Sequence, residues 1–172
     1  MRTENTVALS RKEDIVKKLS VILSVALMIL FIFSVVGPGA TEEKATKEEC
    51  VAKCKQALKL IKEVGLDKAL EKMNDLKGPF MWKDSYVFCF ENETGKFLAH
   101  PKKNLIGFEG KDLKDVNGKA YMKEFFHVAN TKGEGFITYM FPRIPGGPPE
   151  LKTSYILKVP DTNVILGSGF YK

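Results

Sequence analysis

Cysteine and histidine are scarce in this sequence, and their scarcity excludes several classes of protein. The 172 residues contain three cysteines and two histidines. Three cysteines cannot hold together a disulfide-dense scaffold, and the odd number leaves at least one thiol unpaired. A zinc site is not favoured either, because only His100 and His127 could add to the cysteines as ligands. The sequence therefore predicts neither a metal site nor a cofactor.

Catalytic motifs are also lacking. The sequence has no glycine-rich phosphate loop, no G-x-S-x-G motif and no close pair of carboxylates at a predicted strand end. Cys50 and Cys54 lie four residues apart in a helical pattern, so a thiol redox enzyme with a lowered thiolate pKa is the enzymatic alternative. The simpler interpretation makes Cys54 and Cys89 small buried hydrophobic residues and leaves Cys50 half-exposed. A strained disulfide between Cys50 and Cys54 remains an alternative. We expect that the protein is not an enzyme.

Charge of one sign is nowhere concentrated. The 27 lysines and arginines exceed the 21 acidic residues by six, and residues 1–40 account for two of this excess. The remaining excess of four is dispersed over residues 41–172. A nucleic-acid-binding face usually needs its bases clustered on one stripe, so no nucleic-acid partner is predicted.

One long apolar run lies near the N-terminus. Residues 19–36 carry no charge and are long enough either to span a bilayer or to form the apolar part of a signal peptide. Arg11, Lys12, Lys17 and Lys18 precede this run, and the positive-inside rule then sends the residues after it across the membrane. Ala40 is the candidate processing position. We expect residues 1–40 to be a signal peptide or an N-terminal membrane anchor, and residues 41–172 to lie outside the cytoplasm, in the periplasm or at the cell surface.

A helix is predicted at the start of this exported part. Thr46 and Glu49 have the spacing of a capping box, which marks a helix N-terminus. Apolar residues then recur every three or four positions, as on one face of a helix. They are Val51, Cys54, Leu58, Ile61, Val64, Leu66, Ala69, Leu70 and Met73. We predict one long amphipathic helix over residues 46–76, with solvated lysines on its outer face. Homodimerisation through this helix is also expected.

From residue 86 the pattern alternates with the period of β-strands. Strands are predicted over residues 86–90, 96–100, 135–141, 152–159 and 163–171, and a short helix over residues 119–130. Consecutive strands joined by turns indicate an antiparallel sheet with helices on one side. The fold class is therefore α+β, with the sheet region over residues 84–172.

Large apolar side chains, most of them aromatic, alternate on two of these strands. They either form part of the core or line a small-molecule pocket. The two aligned sets are Tyr86, Phe88 and Phe90, and Ile137, Tyr139 and Phe141. His100 ends its strand, and it either caps the sheet edge through a backbone hydrogen bond or faces the pocket. Arg143 and Lys152 flank the loop between two strands, and a cation beside a tyrosine hydroxyl and an imidazole suits a small carboxylate.

Several short segments occur together and in order over residues 46–172. They are WKDSYVF from Trp82, LAHP from Leu98, LIG from Leu105, GEGF from Gly133, KTSY from Lys152 and GSGFY from Gly167. In this combination the sequence resembles the extracytoplasmic Cache sensor domain in its single-module form. The resemblance implies a PAS-like Cache fold, in which a long N-terminal helix packs on a five-stranded antiparallel sheet. It also implies that a small extracellular metabolite, commonly a short organic acid, binds on the concave side of the sheet.

The resemblance assigns the ligand pocket to six residues. They are Tyr86, His100, Tyr139, Phe141, Lys152 and Tyr155. Regular alternation places Lys152 and Tyr155 on opposite faces of their strand, so at most one of them should reach the pocket. Phe136 and Phe141 stand where similar sequences have tryptophan.

Two functions follow as expectations. The first is a stand-alone sensor domain that binds a small organic anion and acts in signal transduction through a membrane-bound partner, because the sequence shows no second apolar run after the domain. The alternative is a structural or interaction protein at the membrane surface, with its aromatic faces buried as core.

Overall fold

A computed structural model describes residues 43–144 and 146–172 of the chain. The predicted signal peptide or membrane anchor, residues 1–40, lies outside these residues, as does the candidate processing position at Ala40. Within the two described ranges, no helix is both long and apolar enough to cross a membrane.

Two helices, rather than one, occupy the predicted region 46–76. Helix α1 spans Lys47–Val64 and helix α2 spans Leu66–Asn74. The predicted capping box is present, with Thr46 Oγ1 accepting from the Glu49 N–H and the Glu49 carboxylate accepting from the Thr46 N–H. The single long helix is wrong because Gly65 interrupts it with φ 84° and ψ 163°, a conformation that glycine adopts without a steric penalty.

The sheet is antiparallel and has six strands, against the five predicted. The strands are β1 (Met81–Trp82), β2 (Ser85–Glu91), β3 (Phe97–Ala99), β4 (Glu134–Pro142), β5 (Pro149–Lys158) and β6 (Val164–Tyr171). Their order is β1-β2-β6-β5-β4, and β3 pairs with β2. The additional strand is β1, which has only two residues and so carries no periodicity in the sequence. The α+β class and the PAS-like arrangement are confirmed.

Each face of the sheet carries its own hydrophobic core. Helices α1 and α2 cover one face, where they pack on residues such as Val87, Tyr155 and Leu166. Helix α3 (Tyr121–Lys132) covers the other face, where it packs on residues such as Phe88 and Ile137. The prediction that all helices lie on one side is therefore wrong, because β2, β5 and β6 bury both of their faces.

The outer edge of β4 is occupied by side chains from the loop before α3. The Asp115 carboxylate accepts a hydrogen bond from the backbone N–H of Met140 over 2.9 Å. The Lys119 ammonium donates one to the carbonyl of Thr138 over 2.7 Å. These two side chains supply the partners that a neighbouring strand would otherwise supply.

The three cysteines are all buried and unbonded to one another. The prediction that Cys50 is half-exposed is wrong, because the apolar stripe of α1 turns Cys50 as well as Cys54 toward the sheet. Burial raises the pKa of all three thiols, that of Cys89 to about 12. A redox enzyme would need the opposite shift, so this alternative loses its support.

Candidate functional site

A cavity of about 250 Å³ opens on the face of the sheet that α3 covers. Strands β2 and β4, helix α3 and the segment after β3 contribute its wall. The lining residues are Tyr86, Phe88, Phe97, His100, Lys102, Asn104, Leu105, Leu113, Tyr121, Met122, Phe125, Tyr139 and Phe141. Aromatic and aliphatic side chains dominate this set, as is typical of small-molecule pockets, and no carboxylate belongs to it.

The aromatic wall is held together by its own packing. The rings of Tyr121 and Tyr139 stack with centroids 4.4 Å apart, and Phe125 meets Tyr139 edge-on at 5.4 Å. Phe88 stacks on Phe125 at 6.2 Å. The hydroxyl of Tyr139 shares a hydrogen bond with Ser154 behind the wall, over 3.1 Å. The wall residues are therefore packed against one another and against the sheet behind them.

Lys152 lies one layer behind this wall. It is 1% exposed, and its ammonium donates a hydrogen bond to the hydroxyl oxygen of Tyr86 over 3.1 Å. The same ammonium lies 4.3, 5.1 and 5.2 Å from the ring centroids of Tyr86, Phe141 and Tyr171. Within the described part of the chain, it forms no ion pair. Tyr86 and Phe141, which do line the cavity, separate Lys152 from the cavity.

The environment of Lys152 disfavours its charge. Burial lowers the pKa of Lys152 to about 7, and the nearby charge of Lys102 acts in the same direction. The aromatic faces compensate part of the lost hydration by cation–π attraction.

Gly169 makes room for the Lys152 side chain. A Cβ at this position of β6 would overlap with Cε of Lys152 and with Oγ of Ser154. Because only glycine leaves this space free, the backbone of β6 fixes the path by which the lysine reaches Tyr86.

His100 takes both of the roles that the sequence left open. Its Nδ1 accepts a hydrogen bond from the backbone N–H of Lys102 over 3.0 Å, which ties down the chain after β3. The neutral ring must then carry its proton on Nε2, and the ring lines the cavity. Burial lowers the pKa of His100 to about 3, and the charges of Lys152 and Lys102 act in the same direction. His100 therefore offers the cavity a neutral N–H donor.

Lys102 was not predicted from the sequence. It lines the cavity, and its ammonium lies 4.8 Å from the ring centroid of Phe141. Its position two residues after His100, next to Pro101, is the only sequence signal that could have suggested it.

Two other residues lie elsewhere than the sequence suggested. Tyr155 is on the opposite face of β5, where its hydroxyl donates to the carboxylate of Glu134 over 2.6 Å, so its placement in the pocket is wrong. The guanidinium of Arg143 is fully engaged by Asp84 at 2.6 Å and by Glu150 at 2.8 Å. Of the other assigned residues, Tyr86, His100, Tyr139 and Phe141 line the cavity, and Lys152 contacts Tyr86 from behind this wall.

The Asp84 carboxylate links three parts of the chain. Its side chain is 1% exposed, and besides pairing with Arg143 it accepts a hydrogen bond from the backbone N–H of Ala45 over 2.7 Å. The turn before β2, the loop after β4 and the chain entering α1 are thereby joined at one buried charge.

No group of three or more side chains that could hold a metal ion occurs in residues 43–144 and 146–172.

Comparison with known proteins supports one family. The family model described as "Cache domain" matches residues 40–172. A solved structure described as the periplasmic sensor domain of a chemotaxis protein is 21% identical, and the match covers 72% of this chain and 88% of that chain with a TM-score of 0.57. Another solved structure is described as the structural basis for carboxylic acid recognition by a Cache chemosensory domain. It is 24% identical, and the match covers 72% of this chain and 91% of that chain with a TM-score of 0.60.

A methyl-accepting chemotaxis protein from Vibrio parahaemolyticus RIMD 2210633 is also similar. It is 25% identical, 73% of this chain and 87% of that chain are covered, and the TM-score is 0.60. The shared fold agrees with the family match, which extends over most of the chain. The chain therefore belongs to the Cache domain family, a family of sensor domains and not of enzymes.

Proposed function

We propose that this chain is an extracytoplasmic sensor domain that binds a small organic anion in the cavity beneath α3. The observation that carries the proposal is the buried ammonium of Lys152, which has no anionic partner among the described residues and touches Tyr86 in the cavity wall. A buried cation is costly unless it is paired, so a structure that retains one is prepared for an anion that arrives from outside.

We expect three donors of the cavity wall to bind the anion. Because the Tyr86 oxygen accepts from Lys152, its own hydroxyl proton is free to donate to a ligand. The ring of His100 lies 5.0 Å from that of Tyr86, between centroids, and presents its Nε2–H. Lys102 adds a second positive charge. Charge-assisted hydrogen bonds of this kind favour a carboxylate, and carboxylic acids are the ligands that one of the similar Cache domains is described as recognising.

The location and the partner belong to the proposal as well. We expect residues 1–40 to export or anchor the domain, and a membrane-bound protein to receive the signal. Homodimerisation through α1 stays a prediction. The outer face of α1 is exposed and carries Lys55, Lys59 and Lys62, which would have to be accommodated in such a dimer.

A thermal-shift screen with small carboxylates, amines and amino acids tests the binding function. A ligand present at 100 times its Kd should stabilise the protein by about 2.7 kcal/mol. Lys152→Met should abolish this shift, whereas Lys158→Met, on the same strand but outside the cavity, should retain it. If no compound shifts the parent protein, the sensor proposal fails and the structural or interaction role takes its place.

A further inference from the structure

The chain enters the domain beside the loop that follows β4. The backbone N–H of Ala45 donates to one oxygen of the Asp84 carboxylate over 2.7 Å, and Arg143 Nη1 lies 2.6 Å from the other oxygen. The Arg143 guanidinium and, to a lesser extent, the charge of Lys44 hold the pKa of Glu150 below its ordinary value. Lys44, which is exposed, therefore lies near this loop as well.

Ile144 is an exposed apolar residue at this end of the domain. It follows Arg143 directly and is 60% exposed. The half-buried residues Met81 and Pro101 border the same surface recess of about 300 Å³ as Ile144. A single apolar side chain on a surface is common, so its position relative to the chain entry decides what it can contact.

Two exposed lysines accompany Ile144. Lys44 precedes the bonded N–H of Ala45, and Lys172 follows Tyr171, whose ring centroid lies 4.6 Å from the guanidinium carbon of Arg143. Neither lysine forms an ion pair with another of the described residues. Lysines beside an exposed apolar side chain are the combination that favours the interface of an anionic membrane.

The chain before residue 43 limits how far this end can lie from a membrane. Residue 36 is the last of the apolar run, and the seven Cα–Cα steps from there to Glu43 reach at most about 25 Å. Strand β5, which runs from this end of the sheet to the other, has 10 residues and is about 33 Å long. With residues 19–36 in the bilayer, the tether is shorter than the sheet, so it holds the end with Ile144 near the membrane.

We propose that Ile144 contacts the lipid bilayer, with its side chain among the headgroups of the outer surface and with Lys44 and Lys172 beside the lipid phosphates. This rests on the anchoring part of the proposed function and goes beyond it, because it turns a fixed side of the domain toward the membrane. The lipid surface is the partner that the tether brings within reach of Ile144. The tether also gives a high effective concentration, so a few weak contacts are sufficient.

Fluorophore labelling of the full chain in nanodiscs tests this contact. The nanodiscs contain phosphatidylcholine and phosphatidylglycerol, with or without doxyl-labelled lipid as a quencher. The three native cysteines are buried, so a cysteine introduced at an exposed position can be labelled selectively. An NBD label on Ile144→Cys should emit at a shorter wavelength than in water. Doxyl lipid should quench about half of its fluorescence, because the label lies within about 10 Å of the headgroup–acyl boundary.

Glu93→Cys and Val116→Cys provide the control labels. Glu93 is exposed in the turn between β2 and β3, at the opposite end of the sheet. Val116, in the loop before α3, is apolar and 68% exposed, so it matches Ile144 in both respects. Both labels should keep the emission of a label in water and lose about a tenth of their fluorescence or less. Lys44→Cys is a second reporter, which should be quenched as Ile144→Cys is.

The other outcomes overturn the inference. An unshifted and unquenched label at position 144 would place Ile144 in water. A shifted but unquenched label would place it against a second copy or another protein. Equal quenching at Ile144 and at either control would mean that no fixed side faces the membrane. A chain that does not co-elute with nanodiscs has no anchor, and the inference then fails while the thermal-shift screen still decides on ligand binding.

Discussion

The ammonium nitrogen of Lys152 lies 3.1 Å from the hydroxyl oxygen of Tyr86, and this hydrogen bond is its one polar contact among the described residues. The relationship has two effects. It holds a buried positive charge next to the cavity without neutralising it. It also occupies an acceptor site of the tyrosine oxygen, so that the hydroxyl proton remains available to a ligand. Tyr86 thus transmits the charge of Lys152 to the cavity wall.

Lys152→Met should stabilise the empty domain at pH 7 while it removes anion binding. Methionine fills a similar space and needs no hydration. Replacing a buried ion pair with apolar side chains can stabilise a protein by about 1–4 kcal/mol, and we expect the gain for this single, partly neutral lysine to lie at the lower end of that range. Chemical denaturation measures the difference. Lys158→Met, at a half-exposed position of the same strand, should change the free energy of unfolding by about 0.5 kcal/mol or less. A Lys152→Met protein less stable than the parent would show that the buried charge contributes to folding.

The affinity for a carboxylate should fall as the pH rises above 7. Since burial lowers the pKa of Lys152 to about 7 in the empty domain, the lysine is neutral above this pH and must take up a proton when an anion binds. The expected loss is about tenfold in affinity per pH unit until the pKa of the bound state is reached. Titration calorimetry at pH 6, 7, 8 and 9 measures the Kd of the carboxylate at each pH. A constant Kd over this range would mean that Lys152 stays charged in the empty cavity.

The stability of the domain should decrease between pH 7 and pH 5 because of His100. The unfolded chain protonates this histidine near its ordinary pKa of 6.5, whereas the folded protein does so only at about 3. The unfolded state therefore binds more protons in this range, and the loss between pH 7 and pH 5 is about 2 kcal/mol.

Unfolding free energies at the two pH values test this prediction. His100→Asn, whose side-chain oxygen can still accept from the Lys102 N–H, should show a smaller loss. The exposed His127 on α3 gives the control, and His127→Asn should lose as much as the parent. Equal losses in the parent and in His100→Asn would assign the acid sensitivity to other groups.

Asp84→Asn should destabilise the domain by about 3–5 kcal/mol, the usual cost of removing one partner from a buried ion pair. The substitution leaves the guanidinium of Arg143, which is 13% exposed, without its short contact. Glu63→Gln is the contrasting variant, because its pair with Lys59 is exposed and should contribute about 0.5 kcal/mol or less. Urea unfolding compares the two. Equal small effects would show that Glu150 alone satisfies Arg143.

The resemblance to the Cache domain assigned the pocket residues in the sequence, and regular alternation only sorted them between the two faces of each strand. Because side chains of a strand alternate between faces, the sequence places Tyr139 and Phe141 on one face of their strand. That Tyr86 of β2 lies on the same side of the sheet is visible only in the structure. The same rule separates Lys152 from Tyr155, whose side chains lie on opposite faces of β5 in the structure, Lys152 against Tyr86 and Tyr155 against Glu134.

The parts that sequence reasoning missed depend on contacts between distant segments. Asp84 and Arg143 are 59 positions apart, and no local pattern indicates that this pair would consume the charge of Arg143. Lys102 lines the cavity where its backbone N–H donates to the His100 ring, a contact that no pattern in the sequence indicates. The break at Gly65 was visible as a glycine, but helices often tolerate one, and its φ of 84° is decided by how α1 and α2 pack on the sheet.

The side chains of Asp115 and Lys119 on β4 bear on how copies of this domain can associate. With the N–H of Met140 and the carbonyl of Thr138 already bonded, an incoming strand would have to displace both side chains before it could pair at these positions. Continuous sheets running from molecule to molecule through β4, the usual beginning of aggregation in β-proteins, are therefore disfavoured. A partner that extended the sheet would therefore have to pair elsewhere than at these two positions of β4.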